Sequence, residues 1–358
     1  MKQAWEIKKI KDICDKASSN IAQNKITELD GDYPVYGASG FVQNIDFYHR
    51  DTEYIGIVKD GSGVGRVNKY PAYSSLLGTL QYILPKEGYD LNYVGYALQS
   101  LNLAKYASGA AIPHIYFRDY GEETICVPPL TEQKGIVEIL DREFEKIDAL
   151  KENAEKNLQH AKDLFQSALQ QELQPKEGWV SSPISEISEN LDYRRVPVTK
   201  KDRKAGIYPY YGASGIVDYV DNFLFEEDLL LVSEDGANLV ARSTPIAFSV
   251  SGKIWVNNHA HILRFPNIEL QKYVEYFFAN YDISGFVTGA AQPKLNQRAL
   301  NNIVITYPIE RSEQKEVVAR LDKLKEHCQA LEENYKKTIA LCDDMKQALL
   351  RKAFNGEL

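Results

Sequence analysis

The sequence contains an internal repeat that runs through almost its whole length. The segment Tyr-Pro-Val-Tyr-Gly-Ala-Ser-Gly at 33–40 recurs as Tyr-Pro-Tyr-Tyr-Gly-Ala-Ser-Gly at 208–215, a shift of 175 residues. A Trp-x4-Ile-x2-Ile pattern, an Asp-Gly pair, Gly-Ala-Ala-x-Pro and Glu-Gln-Lys recur in the same order, while the shift grows from 174 to 181. Because a solenoid needs about three or more repeats, two copies indicate a duplication. We therefore expect a pseudo-twofold molecule.

Each copy ends in a long, proline-free stretch rich in Glu, Lys, Leu, Ala and Gln, which predicts two helices of about 60 Å at 131–174 and 312–358. Apolar residues are spaced alternately four and three apart, as in a coiled-coil seam. Because a whole domain is inserted between the helices, we expect an antiparallel pair that places the two domains at opposite ends. The alternative is that both are ordinary core helices. The predicted seam consists of Leu140, Ile147, Leu150, Ala154, Ala161 and Leu164 with Leu321, Leu324, Cys328, Leu331, Tyr335, Cys342, Met345 and Leu349.

The segments 1–130 and 175–311 have the pattern of mixed α/β domains. Short apolar stretches predict strands at 53–58, 79–84, 228–233, 246–250 and 261–265, and helices are expected at 92–101 and 270–281. The predicted fold class is α+β, with two pseudo-symmetric mixed α/β domains separated by two long antiparallel coiled-coil helices. Outside the repeated motifs the two domains differ strongly, as two readers of different targets would.

Composition excludes several classes of protein. No apolar run approaches the roughly 18 residues of a membrane span, and the first residues lack the apolar core of a signal peptide. The cysteines Cys14, Cys126, Cys328 and Cys342 form no CxxC pair, which favours reduced thiols in a cytoplasmic protein. His259 and His261 have too few companions for a metal site. We expect no metal, no cofactor and no catalytic residues, because methyltransferase, helicase and nuclease motifs are absent.

The repeated motifs together resemble the specificity subunit of Type I restriction–modification systems. The likeness covers essentially the whole chain and includes Val-Pro-Pro-Leu at 127–130 and Tyr-Pro-Ile-Glu at 307–310, each leading into a long helix. The Ile-Glu pair departs from the second proline pattern. The resemblance implies that each domain reads one half of a split, asymmetric target in double-stranded DNA. It also implies that the helices set the spacer and bind two methyltransferase subunits, that restriction subunits join outside, and that the chain itself is not catalytic.

The net charge of −8 is unusual for a protein that binds DNA alone. Residues 131–174 carry 10 acidic and 6 basic residues and 312–358 carry 9 of each, so neither remaining segment is strongly basic. The resemblance implies that methyltransferase partners supply much of the phosphate contact. Two alternatives remain: a duplicated coiled-coil adaptor that does not bind DNA, which the acidic charge favours, and a self-contained enzyme, which the missing motifs disfavour.

Candidate DNA contacts lie in divergent loops beside the repeated motifs. A glycine-rich loop at 59–66 could read DNA or could simply be a tight turn, and its counterpart begins at 234. The positions after Gly-Ala-Ala differ between copies, and the basic stretch 194–204 could clamp phosphate or be a solvated face. The Tyr-Gly-Ala-Ser-Gly turns are expected to maintain the fold through left-handed glycines. The candidate residues are Lys59, Ser62, Arg66, Lys69, His114, Arg118, Arg194, Arg195, Asn238, Arg242, Lys294, Asn296 and Arg298.

Overall fold

The computed structural model describes residues 5–109, 111–289 and 291–358. Residues 1–4, Ala110 and Ala290 lie outside this part, so the start of the chain and the middle of both Gly-Ala-Ala motifs are not described. Contacts divide the chain into two compact units, Met1–Glu155 with Lys336–Leu358 and, as the second, Lys156–Tyr335. Each unit contains one globular domain and a part of both long helices. None of the described helices has the length and apolar character needed to cross a membrane.

The first domain and its long helix form nine strands and four α-helices among the described residues up to 172. The strands are β1 (Glu6–Lys9), β2 (Cys14–Ser18), β3 (Tyr33–Gly37), β4 (Gly40–Ile45), β5 (Tyr54–Val58), β6 (Val67–Tyr70), β7 (Ser75–Leu76), β8 (Leu80–Pro85) and β9 (Thr124–Val127). The helices are α1 (Ile10–Ile13), α2 (Leu91–Ser100), α3 (Phe117–Tyr120) and α4 (Leu130–Glu172).

The second copy repeats this order with small additions. Its strands are β10 (Trp179–Pro183), β11 (Glu189–Asn190), β12 (Ala205–Gly212), β13 (Gly215–Val220), β14 (Phe225–Glu226), β15 (Leu229–Ser233), β16 (Ala247–Val250), β17 (Lys253–Val256), β18 (Ala260–Arg264) and β19 (Val304–Pro308). Its helices are α5 (Ile184–Ile187), α6 (Asn238–Ala241), α7 (Ile268–Asn280), α8 (Gln297–Asn301) and α9 (Arg311–Phe354).

The two domains have matching sheets. A four-stranded antiparallel sheet has the order β2-β8-β5-β6 in the first domain and β11-β18-β15-β16 in the second. A second sheet has the order β4-β3-β7 or β13-β12-β17-β14, and a separate ladder joins β1 to β9 or β10 to β19. All five residues of β5 and of β15 are buried, which explains why these strands are mostly apolar and contain no charged residue.

The helices begin and end close to the predicted positions because local capping signals define them. Asp90 accepts a hydrogen bond from the amide of Tyr93 at 3.0 Å, and Asn267 accepts one from the amide of Leu270 at 2.8 Å. These are N-cap contacts that satisfy otherwise unpaired amides of the first turn. The predicted α+β architecture with two long helices is confirmed.

The start of each long helix is clamped to its own globular domain. The indole Nε1 of Trp5 donates to Glu132 at 3.1 Å, and that of Trp179 donates to Glu313 at 2.8 Å. The buried side chain of Gln133 donates to the carbonyl oxygen of Pro128 at 2.8 Å. The equivalent bond of the second copy joins Gln314 to Pro308 at 2.8 Å. The repeated Trp and Glu-Gln motifs therefore fix the direction in which each helix leaves its domain.

The two long helices are antiparallel, as predicted. In the first unit, Lys151 donates to Asp343 at 2.7 Å and Lys346 donates to Asp148 at 2.5 Å. Residue numbers therefore rise along α4 while they fall along α9. In the second unit, Arg320 pairs with Glu172 at 2.8 Å.

Only part of the predicted seam is buried. Leu140, Ile147, Ala154, Ala161, Leu321, Cys328 and Cys342 are buried, and Leu324, Tyr335 and Leu349 are half-buried. Leu150, Leu164, Leu331 and Met345 are instead 47%, 51%, 38% and 47% exposed, so the expectation that these four are buried was wrong. A helix of 3.6 residues per turn drifts against a repeat of 3.5, and Leu350 rather than Leu349 is fully buried near the end of α9. A pair of helices can also bury only the side chains that lie between them, so seam residues at the sides of the pair remain in contact with solvent.

The two clamping glutamines allow a matched test of this contact. The carbonyl Oε1 of Gln133 also accepts a bond from the Asp90 amide at 2.9 Å, whereas Oε1 of Gln314 has no partner among the described residues. Both side chains are buried. We expect Gln133→Ala to lower the free energy of unfolding by about 1 kcal/mol more than Gln314→Ala, because it breaks one more hydrogen bond. Denaturant unfolding of both variants measures the difference, and equal losses would show that the additional bond from Asp90 to Gln133 does not stabilise the fold.

Candidate nucleic-acid interface

The repeated motifs of the first domain meet beyond the end of β5. The amide of Gly61 donates to the carbonyl of Pro113 at 2.9 Å, which joins the glycine-rich loop to the Gly-Ala-Ala-x-Pro segment. The guanidinium of Arg66 donates to the carbonyl of Ala38 at 3.0 Å and so contacts the Tyr-Gly-Ala-Ser-Gly turn. Three motifs that are far apart in the sequence therefore form one edge of the domain.

The second domain has the same arrangement beyond the end of β15. The amide of Gly236 donates to the carbonyl of Pro293 at 3.0 Å, and the hydroxyl of Ser233 donates to the carbonyl of Ala213 at 2.5 Å. Gly40 and Gly215, the last glycines of the two Tyr-Gly-Ala-Ser-Gly turns, have φ angles of 110° and 124°. These values lie in the left-handed region that favours glycine, which confirms the expected backbone of these turns.

Most first-domain candidates face solvent, and those of the glycine-rich loop lie at this edge. Arg66 and Ser62 are exposed, and Lys59 is half-buried without a salt-bridge partner in the part of the chain that is described. Lys69 lies 3.5 Å from the carboxylate of Glu53. His114 and Arg118 form the adjacent segment. The imidazole of His114 is paired with Asp60, and the guanidinium of Arg118 lies over the ring of Tyr116 at 4.6 Å with 76% of its side chain exposed.

Several second-domain candidates are instead used inside the fold. Arg195 donates to Glu234 at 2.6 Å and to the carbonyl of Ala260 at 2.9 Å, and its side chain is only 16% exposed. Arg194 stacks on Phe225 and pairs with Glu227 at 3.3 Å.

Arg242 and Asn238 also hold the backbone together. Arg242 donates to the carbonyls of Phe278 and Tyr281 at 2.8 and 2.6 Å, which caps the end of α7, and desolvation lowers its pKa. Asn238 bonds Ser243 and both backbone groups of Thr244. These polar groups are already paired, so the expectation that Arg194, Arg195, Asn238 and Arg242 face DNA is weakened.

The side chains that remain available in the second domain are mostly those after Gly-Ala-Ala. Lys294 is 51% exposed although it pairs with Glu234 at 3.1 Å, and Arg298 is exposed. Asn296 caps α8 by accepting a bond from Ala299 at 2.9 Å. From the basic stretch, Lys200, Lys201 and Lys204 are exposed, while the arginines are paired with acids. The two domains thus present different cations on matching scaffolds. The lysines were missed as individual sites because a charge run does not reveal which members are paired.

A buried ionic cluster lies beneath the second edge. Ligand-type atoms of Asp192, Glu234 and His261 lie within 4.8 Å of one another, a grouping that could hold a metal ion. The guanidinium of Arg195 already occupies this position as a cation, however, at 2.6 Å from Glu234 and 3.5 Å from Asp192. The grouping is therefore better explained as an ion-pair network than as a metal centre.

The carboxylates of this cluster stabilise the fold at neutral pH. Burial alone would raise the pKa of Asp192 and of Glu234, but hydrogen bonds and charges from His261 and Arg195 hold both below their ordinary values. A carboxylate with a lowered pKa stabilises the folded state above the ordinary carboxyl range. That stabilisation is lost as the pH falls through the lowered values.

Comparison with known proteins gives a consistent family. The model of the Type I restriction modification DNA specificity domain matches residues 2–160 and 176–341. A type I restriction enzyme specificity subunit of Haemophilus influenzae is 32% identical over 142 residues, which is 40% of this chain and 36% of that protein. The EcoKI specificity subunit of Escherichia coli K12 is 24% identical over 305 residues, 76% of this chain and 65% of the relative. The chain thus spans about a third of the length of the Haemophilus influenzae protein and just under two thirds of the length of the EcoKI subunit.

Solved structures share the fold at low sequence identity. The HsdS subunit from Thermoanaerobacter tengcongensis is 15% identical with a TM-score of 0.54, and 99% of this chain and 97% of that chain are covered. A chain from a structural study of the assembly and conformational transition of the type I R-M system is 15% identical with a TM-score of 0.76, covering 99% and 98%. At such identities the likeness is one of fold.

The contrast between paired and unpaired arginines predicts different effects on stability. We expect Arg195→Ala to destabilise the protein by about 3 kcal/mol, because it takes the guanidinium away from two largely buried carboxylates. Arg66→Ala removes an exposed side chain and is expected to cost less than about 1 kcal/mol. Denaturant unfolding of the two variants measures this. Similar losses would mean that Arg195 is not part of the fold.

Proposed function

Since the chain belongs to the family of the Type I restriction modification DNA specificity domain, we propose that it selects the DNA target of a type I restriction–modification complex. In this proposal each globular domain reads one half of a bipartite, asymmetric site in double-stranded DNA. The long helices set the spacer and dock two methyltransferase subunits, and restriction subunits join the assembly. The chain contributes no catalytic residue and no cofactor, and it works in the cytoplasm.

The observation that carries the proposal is the pairing of one scaffold with two sets of exposed side chains. The same three motifs converge at one edge of each domain through matching hydrogen bonds, Gly61 to Pro113 and Gly236 to Pro293. At that edge the first domain presents Lys59, Ser62 and Arg66, while the second presents Lys294 and Arg298. Basic and polar side chains on loops above a rigid sheet are suited to phosphate and base-edge contacts. An adaptor that does not bind DNA offers no reason for this divergence.

The charge distribution supports a role inside a larger complex. The chain carries a net charge of −8, and Arg194 and Arg195 of the second domain are paired with Glu227 and Glu234. These two arginines therefore add little to the neutralisation of phosphates, which usually provides most of the affinity for DNA. Partner subunits would supply the missing phosphate contacts, while this chain would supply sequence discrimination.

The long helices offer a surface that suits such partners. In the first unit, the exposed Leu150 and Met345 line a groove of about 400 Å³ together with Leu349. Charged residues at its rim, Lys146 and Lys352 among them, give it the polar border of a protein interface. Apolar side chains that two helices cannot cover by themselves favour docking of a further protein.

The experiment that tests the proposal is the methylation pattern of cells carrying this chain and its methyltransferase partner. We expect a split motif with a fixed gap that disappears when this chain is deleted. Arg66→Ala should relax reading in one half of that motif only, and Arg298→Ala in the other half only, by about 1–3 kcal/mol per lost base contact. Competition binding with duplexes altered in either half measures the discrimination of each variant.

The controls separate base reading from phosphate contact. A uniform loss of affinity across all duplexes would show that the arginine binds phosphate, because such contacts carry no sequence information. Ile7→Ala, at a 73% exposed position in the β1 ladder, serves as a surface control that should leave both halves unchanged. Methylation that is identical with and without this chain would contradict the proposed function.

The role of the helices as a spacer gives a separate prediction. Seven residues inserted after Glu155 in α4 and seven before Lys336 in α9 would keep the ion pairs of both units in register, because the insertions fall between them. The added rise of about 10 Å corresponds to about 3 base pairs of duplex. We expect the gap of the methylated motif to lengthen by that amount while both halves stay the same. An unchanged gap would rule out a helical spacer.

A further inference from the structure

The buried cluster of the second domain holds one histidine by both of its ring nitrogens. His261 is 1% exposed, and its Nδ1 lies 2.5 Å from Asp192 and 3.8 Å from Glu234. Its Nε2 lies 2.7 Å from the carbonyl oxygen of Leu295. Both ring nitrogens thus face oxygen acceptors. Only an imidazole with a proton on each nitrogen donates to both of them.

This histidine connects the sheet to the segment at 293–296. Leu295 is fully buried, and its amide donates to the backbone carbonyl of Glu234 at 2.8 Å. The imidazole of His261 therefore adds a second hydrogen bond to Leu295, by donating to its carbonyl oxygen. Asp192 in turn accepts a bond from the Ile262 amide at 2.9 Å, which ties the cluster to β18. Lys294, a candidate DNA contact, is adjacent to the residue held in this way.

The first domain provides a natural comparison, because its equivalent position is neutral. Gln81 pairs with Ile57 in the β5–β8 ladder as His261 pairs with Val232 in the β15–β18 ladder. The side chain of Gln81 accepts a bond from the hydroxyl of Tyr120 at 2.7 Å. The backbone bond to the loop is kept, from the Ile115 amide to the carbonyl of Lys59 at 3.0 Å. The ionic support is therefore an addition specific to the second domain.

We propose that His261 is a positioning residue, which in its doubly protonated form holds the segment 293–296 in place for reading the second half of the target. This rests on the proposed function. Loss of one proton leaves an acceptor facing an acceptor at either Asp192 or Leu295, so the segment loosens. Discrimination in the second half then weakens as the pH rises.

The charged groups around the imidazole come from several elements. Asp192, on the segment after β11, and Glu234, after β15, are carboxylates, whereas Arg195 and Lys294 are cations that pair with these carboxylates. Histidine is the side chain type whose charge ordinarily changes between about pH 5 and 8, so the pH dependence of the segment is expected to follow the imidazole. Two further histidine–carboxylate pairs lie near the loops, His259 with Asp235 and His114 with Asp60.

The test uses the complete complex with its methyltransferase subunits and duplexes altered in one half of the methylated motif. With the wild-type chain we expect discrimination in the second half to fall about tenfold between pH 6 and pH 9, the effect of losing one charge-assisted hydrogen bond. His261→Gln, which introduces the residue of the first domain, should be relaxed already at pH 6 and should not respond further. His259→Gln is the matched control and should retain the wild-type fall. In the first half of the target, discrimination by the wild-type chain and by both variants should change with pH in the same way.

Three outcomes are separable. A complex that reads no split target at any pH contradicts the proposed function. A His261→Gln variant with the wild-type profile in both halves overturns the positioning role while the proposed function stands. If this variant does not assemble, amide exchange in the wild-type complex decides. Protection of the Leu295 amide, corrected for intrinsic rate, should fall relative to that of Ile115 between pH 6 and pH 9, and an unchanged ratio overturns the inference.

Discussion

The hydrogen bonds at the start of each long helix connect the remaining features of the protein. A buried glutamine and an indole–carboxylate pair join the first strand of each domain, the proline-containing segment and the first turn of the helix. Because Gln133 and Gln314 are almost completely buried, their amides are not exposed to competition from water. Each domain is thereby fixed to its own helix in one orientation. If a long helix is to determine the position of the DNA-reading edge of a domain, the domain must be attached to that helix rigidly.

Duplication gives the two domains the same frame but leaves their loops free to differ. The apolar cores of the domains are separate clusters, one around Ile55 and Ile83 and the other around Leu230 and Leu263. A change in a loop of one domain therefore has little effect on the packing of the other. Under the proposed function, this separation lets each half of the target change by itself. The different support beneath the two edges, an amide at Gln81 and a charged cluster at His261, shows that divergence extends below the surface.

Much of the fold could be predicted from the sequence, because the determinants are local. The long helices begin and end within about one to four residues of the predicted bounds, and α2 and α7 begin at side-chain caps that the sequence displays. The buried strands β5 and β15 appear as short apolar runs. Convergence of the three repeated motifs was not predicted, since it depends on backbone bonds between residues about 50 positions apart, such as Gly61 and Pro113.

Individual site residues were harder to predict, because an arginine in a loop has the same sequence signature whether it is free or paired. Arg66 remains exposed and bonds a turn carbonyl, whereas Arg242, in the counterpart loop, caps a helix that begins 26 residues later. The partners of Arg195 are equally distant, at Glu234 and Ala260. Similar limits apply to Leu150 and Met345, whose heptad positions indicate a seam but not how much of it a second helix covers.

The pairing of these arginines also accounts for the acidic character of a protein proposed to bind DNA. Arg194, Arg195 and Arg203 lie in the most basic stretch of the chain, yet each forms an ion pair within its own domain. Their charge therefore contributes to folding and adds little to the attraction for phosphate. A DNA-binding subunit with little affinity for phosphate binds weakly to unrelated sequences, since non-specific binding arises almost entirely from the attraction between cationic side chains and phosphates. Stable binding would then require the partner subunits and a matching target together, which favours action by the assembled complex over action by the free chain.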